Sequence, residues 1–263
     1  MIDIVAPPGL TEITLTLTAE VDRHAAPPPT PAEAPDLAGL AAQIAAQTGL
    51  GPASPHHFLG PSPRITATPD IRRFAQTHAR PGVSALHIFH DLGQALHDHM
   101  SFDAQATHVD TPPEAAFAQA KGVCQDFAQI LIAALRSLGI PAAYVAGYLR
   151  TLPPEGKPRL IGADAMHAWV RAWMGTALGW VDYDPTNACF LGTDHLEVGF
   201  GRDYSDVAPV TGMLRLEGGQ SGTHAVDIEE IGDPKDTPRI QDIPRIQDTP
   251  RAQNIEPTPP PLP

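Results

Sequence analysis

The spacing of apolar residues predicts a helical first half for the folded part of the chain. In five segments, apolar residues recur every three to four positions, which is the spacing of one helix face. These predicted helices cover 37–48, 70–80, 83–102, 112–120 and 124–140. The last is the clearest, because Gly122 comes just before it and Gly139 and Pro141 end it.

The segments that follow have the pattern of β-strands. Three predicted strands cover 142–151, 165–174 and 178–187, and a last pair covers 207–218 and 223–231. In the second strand, alternation places His167, Trp169, Arg171 and Trp173 on one face. Helices followed by a run of mostly antiparallel strands predict an α+β fold.

One more strand is predicted near the N-terminus. Residues 11–22 alternate, with Ile13, Leu15 and Leu17 on one side and threonines on the other, which is typical of a half-buried strand. One or two strands do not form a stable sheet alone, so this strand is expected to pair with the main body or with another chain. A proline-rich link, 27–35, leads to the first helix.

Composition and charge narrow the function classes. The chain has 263 residues, a formal net charge of −13 and 2 cysteines. The acidic balance argues against nucleic acids or anionic membranes as partners, because both require basic patches. Two cysteines exclude a disulfide-stapled scaffold and a four-cysteine metal site. Apolar runs fall short of the roughly 20 residues that span a membrane, and the first residues lack a signal-peptide pattern, so a cytoplasmic protein is expected.

The C-terminal segment, 227–263, has low complexity. It contains a six-residue repeat over 237–254 and ends in PTPPPLP. Such a segment cannot bury enough apolar surface to offset the entropy lost on ordering, so a disordered tail is expected. The alternative is a polyproline ligand that binds a partner protein.

One cysteine stands where a nucleophile is expected. Cys124 begins the clearest predicted helix, and the helix dipole and free N–H groups there favour a thiolate and can receive an oxyanion. His167, on a strand downstream, can act as its base, and Asp184 or Asp182 on the next strand can orient the imidazole. Singly, a buried thiol and a structural histidine are the commoner explanations. Together, these residues favour a Cys-His-Asp site.

Four stretches of sequence carry a family resemblance. They are GVCQDFAQILIAALRSLGIPAAYVAGY (122–148), DAMHAWVRAWM (164–174), GWVDYDPTN (179–187) and GRDYSDVAPVTG (201–212). They strongly resemble the bacterial transglutaminase-like superfamily, over about residues 55–216. The resemblance implies a papain-like core, with helices packed on an antiparallel sheet, and a catalytic triad. In that triad Cys124 is the nucleophile, His167 the base and Asp184 the orienting carboxylate, because the family places the acid directly before Pro-Thr-Asn.

Two departures from the family pattern stand out. Gln129 occupies a position, in the second turn of the Cys124 helix, where the family often has histidine. Relatives of this subgroup usually carry a full β-sandwich domain before the core, and only its last strands are expected here. The predicted layout is a truncated N-terminal β segment with a proline-rich linker over 1–54, a catalytic domain over 55–226 and the tail over 227–263.

The resemblance implies a thiol-dependent amide-bond enzyme that acts on a protein or peptide and needs no metal or organic cofactor. Hydrolysis through an acyl-enzyme is the favoured outcome, which makes the protein a peptidase or amidase. One alternative is a protein-crosslinking transglutaminase. Another is a catalytically silent binding or structural module that kept the fold.

Several other residues have two interpretations. Cys189 is expected to be a packed free thiol rather than the partner of a regulatory disulfide with Cys124. Gln119 is a candidate for completing the oxyanion hole. Three tryptophans could line a substrate groove but are more typical of a core; they are Trp169, Trp173 and Trp180. Four histidines on one predicted helix could hold a metal, but their spacing favours exposed side chains; they are His87, His90, His97 and His99.

Overall fold

Five helices form at the places that the sequence predicts. A computed structural model of the chain describes residues 12–24, 27–150, 165–208 and 225–231. The helices are α1 (Leu37–Ala45), α2 (Pro69–His78), α3 (Ala85–His99), α4 (Pro113–Gln119) and α5 (Cys124–Ser137). Each matches its predicted segment to within three residues at either end. Short 3₁₀ turns cover Pro31–Glu33, Pro55–Phe58 and Tyr204–Asp206.

Capping side chains and prolines fix where the helices begin. The Asp36 carboxylate accepts the Gly39 N–H at 2.9 Å at the start of α1, and the Ser84 hydroxyl accepts the His87 N–H at 3.3 Å at the start of α3. α2 and α4 begin with proline, whose missing N–H is not needed in a first turn.

α5 is the central helix of the fold. Every side chain from Asp126 to Arg136 is buried. The helix contacts α2, α3 and α4 as well as two strands of the sheet. A helix that is apolar on most of its circumference is typical of a core position, so α5 holds its first residue, Cys124, on a rigid support.

The main sheet has five strands and is antiparallel throughout. Its strands are β3 (Ala142–Leu149), β4 (Ala165–Trp173), β5 (Trp180–Asp184), β6 (Cys189–Phe190) and β7 (His195–Gly201), in the spatial order β6-β5-β4-β3-β7. A second, two-stranded parallel pair joins β1 (Ser101–Phe102) to β2 (Lys121–Gly122), directly before α5. The predicted α+β class, with helices packed on an antiparallel sheet, is confirmed.

The three central strands of the main sheet match their predictions, whereas its two outer strands, β6 and β7, were not predicted. β6 and β7 lie between the third predicted strand and the predicted last pair. Of that last pair, 209–224 lie outside the described residues, and 225–231 form no strand.

The prediction of an N-terminal strand is wrong for the residues that the structure describes. Residues 12–24 carry neither helix nor strand, and Ile13, Leu15 and Leu17 are exposed rather than half-buried. A strand is held by ladder hydrogen bonds to a neighbour, and the alternating pattern does not by itself supply one.

The segment before the predicted catalytic domain contributes to the core. Leu40 and Ile44 of α1 are buried in the same apolar cluster as α3 and α5. The side-chain oxygen of Gln43 accepts the Thr176 N–H at 2.8 Å, which ties α1 to the turn between β4 and β5. The N-terminal segment therefore includes a packed helix as well as an exposed stretch.

The chain divides into two compact units, Met1–Asp227 and Ile228–Pro263. All the elements above belong to the first unit. In the second, the described residues 228–231 carry neither helix nor strand, and the rest of the predicted tail lies outside the described residues. Within the described ranges, none of the helices is both long and apolar enough to cross a membrane.

Candidate active site

Cys124 is the first residue of α5, and hydrogen bonds fix the chain that leads into it. The Asp126 carboxylate accepts the Val123 N–H at 2.8 Å and the Thr107 hydroxyl at 2.6 Å, which fixes the backbone directly before Cys124. A Cβ atom at Gly122 would lie 2.6 Å from the Asp126 carboxylate, so a glycine is required there. Burial is the largest influence on Asp126 and raises the pKa of its carboxyl, against those two hydrogen bonds.

His167 and Asp184 face each other across neighbouring strands. Asp182 pairs with Arg171 across β5 and β4, and Asp184 lies two residues further along, at the end of β5. Nε2 of His167 lies 2.7 Å from Oδ2 of Asp184. Both residues are buried, with 9% of His167 and 0% of Asp184 exposed. Sequence reasoning predicted this pairing of β-strand histidine and carboxylate.

Asp184 is held by five hydrogen bonds. Oδ1 accepts the N–H groups of Thr186 at 2.9 Å and Asn187 at 3.2 Å. Oδ2 accepts from His167, from the Asn187 side chain at 2.7 Å and from Nε2 of His195 at 3.0 Å. Burial works to raise the pKa of this carboxyl, but the donors outweigh it and hold the pKa well below its usual range. Asp184 is therefore an anion that cannot readily take a proton.

His167 links Asp184 to Cys124. Burial lowers the pKa of its imidazole, but hydrogen bonds to Asp184 and to the Cys124 side chain, together with their negative charges, raise the pKa to about 10. Because Nε2 is used by Asp184, Nδ1 is the nitrogen left to exchange a proton with the thiol. The three sequence-predicted residues thus form one connected group in the order Cys124, His167, Asp184.

The rival carboxylate, Asp182, is engaged elsewhere. Its two oxygens accept Nε and Nη2 of Arg171 at 2.7 and 2.8 Å, a bidentate ion pair. Nη1 of the same guanidinium donates to Glu197 at 2.9 Å. Asp182 therefore belongs to a charged cluster on the sheet rather than to the His167 group.

His195 is the member of this group that sequence reasoning missed. It begins β7, is 5% exposed and packs with its ring edge-on to Trp169, at 5.5 Å between centroids. No local signal marks it, because its role depends on β7 pairing with β3 on the far side of β4. At Gly147 of β3, opposite His167, a Cβ atom would clash with the Trp169 ring and the Leu196 carbonyl. That glycine permits the close packing that brings β7 to the site.

The other candidate residues have ordinary structural contacts. The Gln119 side-chain nitrogen donates to the carbonyls of Ala106 at 3.5 Å and Lys121 at 3.3 Å. Trp169 and Trp173 are buried in the core, as the commoner interpretation predicts. Cys189 is a free thiol opposite Asp184 on β6, and burial and that carboxylate raise its pKa.

The helix histidines, for which the sequence favoured exposed side chains over a metal site, make contacts with protein groups. Nδ1 of His97 bonds the carbonyl of Thr186, two residues after Asp184, at 3.0 Å, and His90 stacks on Phe190. Among the described residues, one group has histidine and carboxylate atoms close enough to hold an ion, and it consists of His167, Asp184 and His195. The hydrogen bonds of both Nε2 atoms to Asp184 already account for that convergence.

Comparison with known proteins finds a family match for the part of the chain that carries this site. Residues 74–185, which include Cys124, His167 and Asp184, match the model of the Transglutaminase-like superfamily. The chain carries a transglutaminase-like domain. Uncharacterized proteins of Mycobacterium tuberculosis and Mycobacterium bovis are 35% identical over 214 residues, which cover 76% of this chain and 65% of theirs. The chain thus spans somewhat less than two thirds of these relatives.

Two named proteins are similar to part of this chain. A protein-glutamine gamma-glutamyltransferase of Pseudomonas aeruginosa is 35% identical over 130 residues, which cover 48% of this chain and 18% of that protein. The crystal structure of a "putative cysteine protease" from Cytophaga hutchinsonii has a TM-score of 0.50 and 25% identity, and covers 61% of this chain and 50% of that one. The papain-like fold expected from the sequence is confirmed, and the family is generally enzymatic, as cysteine proteases or transglutaminases.

Proposed function

We propose that the transglutaminase-like domain is a thiol-dependent peptidase or amidase that works through an acyl-enzyme on Cys124. The observation that carries the proposal is the buried pair of His167 and the five-fold bonded Asp184, whose imidazole interacts with the Cys124 side chain at the start of α5. A thiol, a base and a group that orients the base are the parts that nucleophilic acyl transfer requires.

The reaction starts with the proton of the Cys124 thiol already on Nδ1 of His167, because the raised pKa of that imidazole favours the imidazolium. The sulfur attacks an amide carbonyl carbon, and the negative charge moves to the carbonyl oxygen. In the first turn of α5, Asp126 N–H and Phe127 N–H both bond the Val123 carbonyl, which leaves the N–H groups of Cys124 and Gln125 to stabilise that oxyanion.

The intermediate collapses when Nδ1 of His167 gives its proton to the leaving amine, which breaks the C–N bond and leaves a thioester on Cys124. Water then attacks the thioester with His167 as base. The acid product leaves, and the Cys124 thiol is restored. Throughout, Asp184 stays ionised and stabilises the imidazolium, which fits the low pKa of its carboxyl.

Hydrolysis and amine transfer differ only in what attacks the thioester. The cysteine-protease name of the Cytophaga hutchinsonii protein supports hydrolysis. The gamma-glutamyltransferase name of the Pseudomonas aeruginosa protein supports transfer to an amine, so crosslinking is the second candidate. We keep hydrolysis first. A peptide or protein substrate, a partner for the tail and a cytoplasmic location remain proposals.

One experiment separates the candidates. The protein is incubated with casein and the fluorescent amine monodansylcadaverine, with Cys124→Ala as the control. Cleavage fragments that need Cys124 support the peptidase. Fluorescence in uncleaved casein that needs Cys124 supports the transferase instead. If neither product forms and Cys124 reacts with iodoacetamide no faster than an ordinary thiol, the domain is a silent module.

A further inference from the structure

His195 is buried against the carboxylate at the centre of the site. Its Nε2 lies 3.0 Å from Oδ2 of Asp184, the same oxygen that His167 bonds at 2.7 Å. Because Asp184 is an anion and can only accept, the proton of this bond sits on Nε2 of His195. Nε2 of His195 is therefore the donor to Asp184.

Packing fixes the His195 ring in this orientation. Trp169 meets it nearly at a right angle, 82° between ring planes, and the His167 ring lies 5.9 Å away. Among the described residues, the buried Nδ1 of His195 has no hydrogen-bond partner. Burying an unpaired polar atom is unfavourable, so the ring makes one strong hydrogen bond at the cost of another. A buried group left unpaired in this way calls for an explanation beyond ordinary core packing.

The hydrogen bond from His195 also restrains Asp184, the partner of His167. Oδ1 of Asp184 is held by two backbone N–H groups, and Oδ2 is shared by His167, His195 and the Asn187 side chain. The donor from His195 comes from a different strand, β7, than the donors that follow Asp184 in the chain. It therefore prevents the carboxylate from rotating away from His167.

We propose that His195 is a positioning residue that holds Asp184 in the orientation in which Asp184 aligns His167 toward Cys124. This inference rests on the proposed function, because alignment matters only if Cys124 is the nucleophile. His195 does not contact the reacting sulfur in this scheme and acts through Asp184.

The test compares variants that keep or remove the donor at the Nε2 position. In His195→Gln the amide nitrogen can reach that position, whereas in His195→Phe the ring and its contact with Trp169 remain without a donor. His195→Asn is too short, and its nitrogen falls at the Nδ1 position. His56→Phe is the matched control, because it also removes a ring-nitrogen hydrogen bond, to the Gln47 carbonyl at 2.9 Å, and lies outside the Asp184 network.

Steady-state turnover of p-nitrophenyl acetate and the thermal midpoint are measured for each variant. We expect His195→Phe and His195→Asn to lower kcat about tenfold, as a small misalignment of a catalytic group does, with KM nearly unchanged. His195→Gln should recover most of the loss, and His56→Phe should show none of it. A purely structural role would instead change the thermal midpoint and leave kcat of the folded protein alone.

Two results overturn the proposal. In the first, His195→Phe has the same kcat as the unchanged protein. In the second, His195→Gln lowers kcat as much as His195→Asn does. If His195→Phe does not fold, the Gln and Asn pair decides. If Cys124 of the wild-type protein is not acylated at all, both the proposed function and this inference are overturned. If Cys124 is acylated but the His195 variants behave as above, only this inference fails.

Discussion

The imidazole of His167 bonds Asp184, with 2.7 Å between Nε2 and Oδ2, and not Asp182, which lies two residues earlier on the same strand. Asp182 is bound at both oxygens by Arg171. The two carboxylates share a strand and a face, yet one lies in a buried hydrogen-bond network and the other in a charged cluster on the sheet. This difference makes the assignment of the orienting carboxylate testable.

Replacing each carboxylate by its amide should give unequal effects. Asp184→Asn places an NH₂ or a weaker acceptor against His167 and His195, so turnover should fall by about 100-fold or more. Asp182→Asn removes one charge from a partly exposed ion pair and should change turnover by less than about threefold. The measurement is kcat on any substrate that depends on Cys124. Equal or reversed effects would show that Asp184 is not the carboxylate that orients His167.

The pH profile of turnover should have a basic limb set by His167. Its hydrogen bonds to Asp184 and Cys124 raise the pKa of the imidazole to about 10, so the proton needed by the leaving amine is present below that pH and lost above it. Turnover of an amide substrate between pH 6 and 11 should therefore stay high to about pH 9 and then fall. A basic limb near 7 would mean that His167 is not held by these partners.

The stability of the fold in acid should depend on Asp184. Its hydrogen bonds hold the pKa of the folded carboxyl below the usual 3.8. A depressed pKa stabilises the folded state above about pH 4, and this contribution is lost as the pH falls through the folded-state value. The free energy of unfolding, from urea titrations at pH 3 to 7, should thus drop less steeply in acid for Asp184→Asn. An identical slope in both proteins would contradict a strongly hydrogen-bonded carboxylate.

Asp126 should stabilise the start of the Cys124 helix without needing its charge. Asp126→Ala removes the acceptor for Val123 N–H and Thr107, which should cost about 1–2 kcal/mol of unfolding free energy. Asp126→Asn keeps an acceptor for Val123 and avoids a buried charge, so it should cost about half of that or less. Urea titrations at pH 7 compare the two variants. A loss in Asn as large as that in Ala would show that the ionised carboxylate itself is required.

The sequence predicted the parts of the site that local patterns mark. A thiol at the start of an apolar-stripe helix, a histidine on an alternating strand and an acid before Pro-Thr-Asn were each recognisable, so Cys124, His167 and Asp184 could be named. The choice of Asp184 over Asp182 came from family resemblance, and the Arg171 ion pair supplies its physical reason.

What could not be predicted depends on which strands pair. His195 reaches Asp184 because β7 pairs with β3, and nothing near residue 195 indicates that neighbour. The same difficulty explains the N-terminal error. Residues 12–22 have a clear strand alternation, but a strand needs a partner, and the described chain leaves Leu15 and Leu17 exposed. Alternation indicates a tendency to form a strand, whereas pairing is a property of the whole fold.

The central claim, that Cys124 is an activated nucleophile, is tested most directly by peptide-mapping mass spectrometry after brief treatment with p-nitrophenyl acetate at pH 7. Cys189 is the internal control, because burial and Asp184 raise the pKa of its thiol. We predict an acetyl thioester on Cys124 and none on Cys189, with the Cys124 adduct lost in His167→Ala. Equal modification of both cysteines, or a Cys124 adduct that forms as fast without His167, would contradict the account.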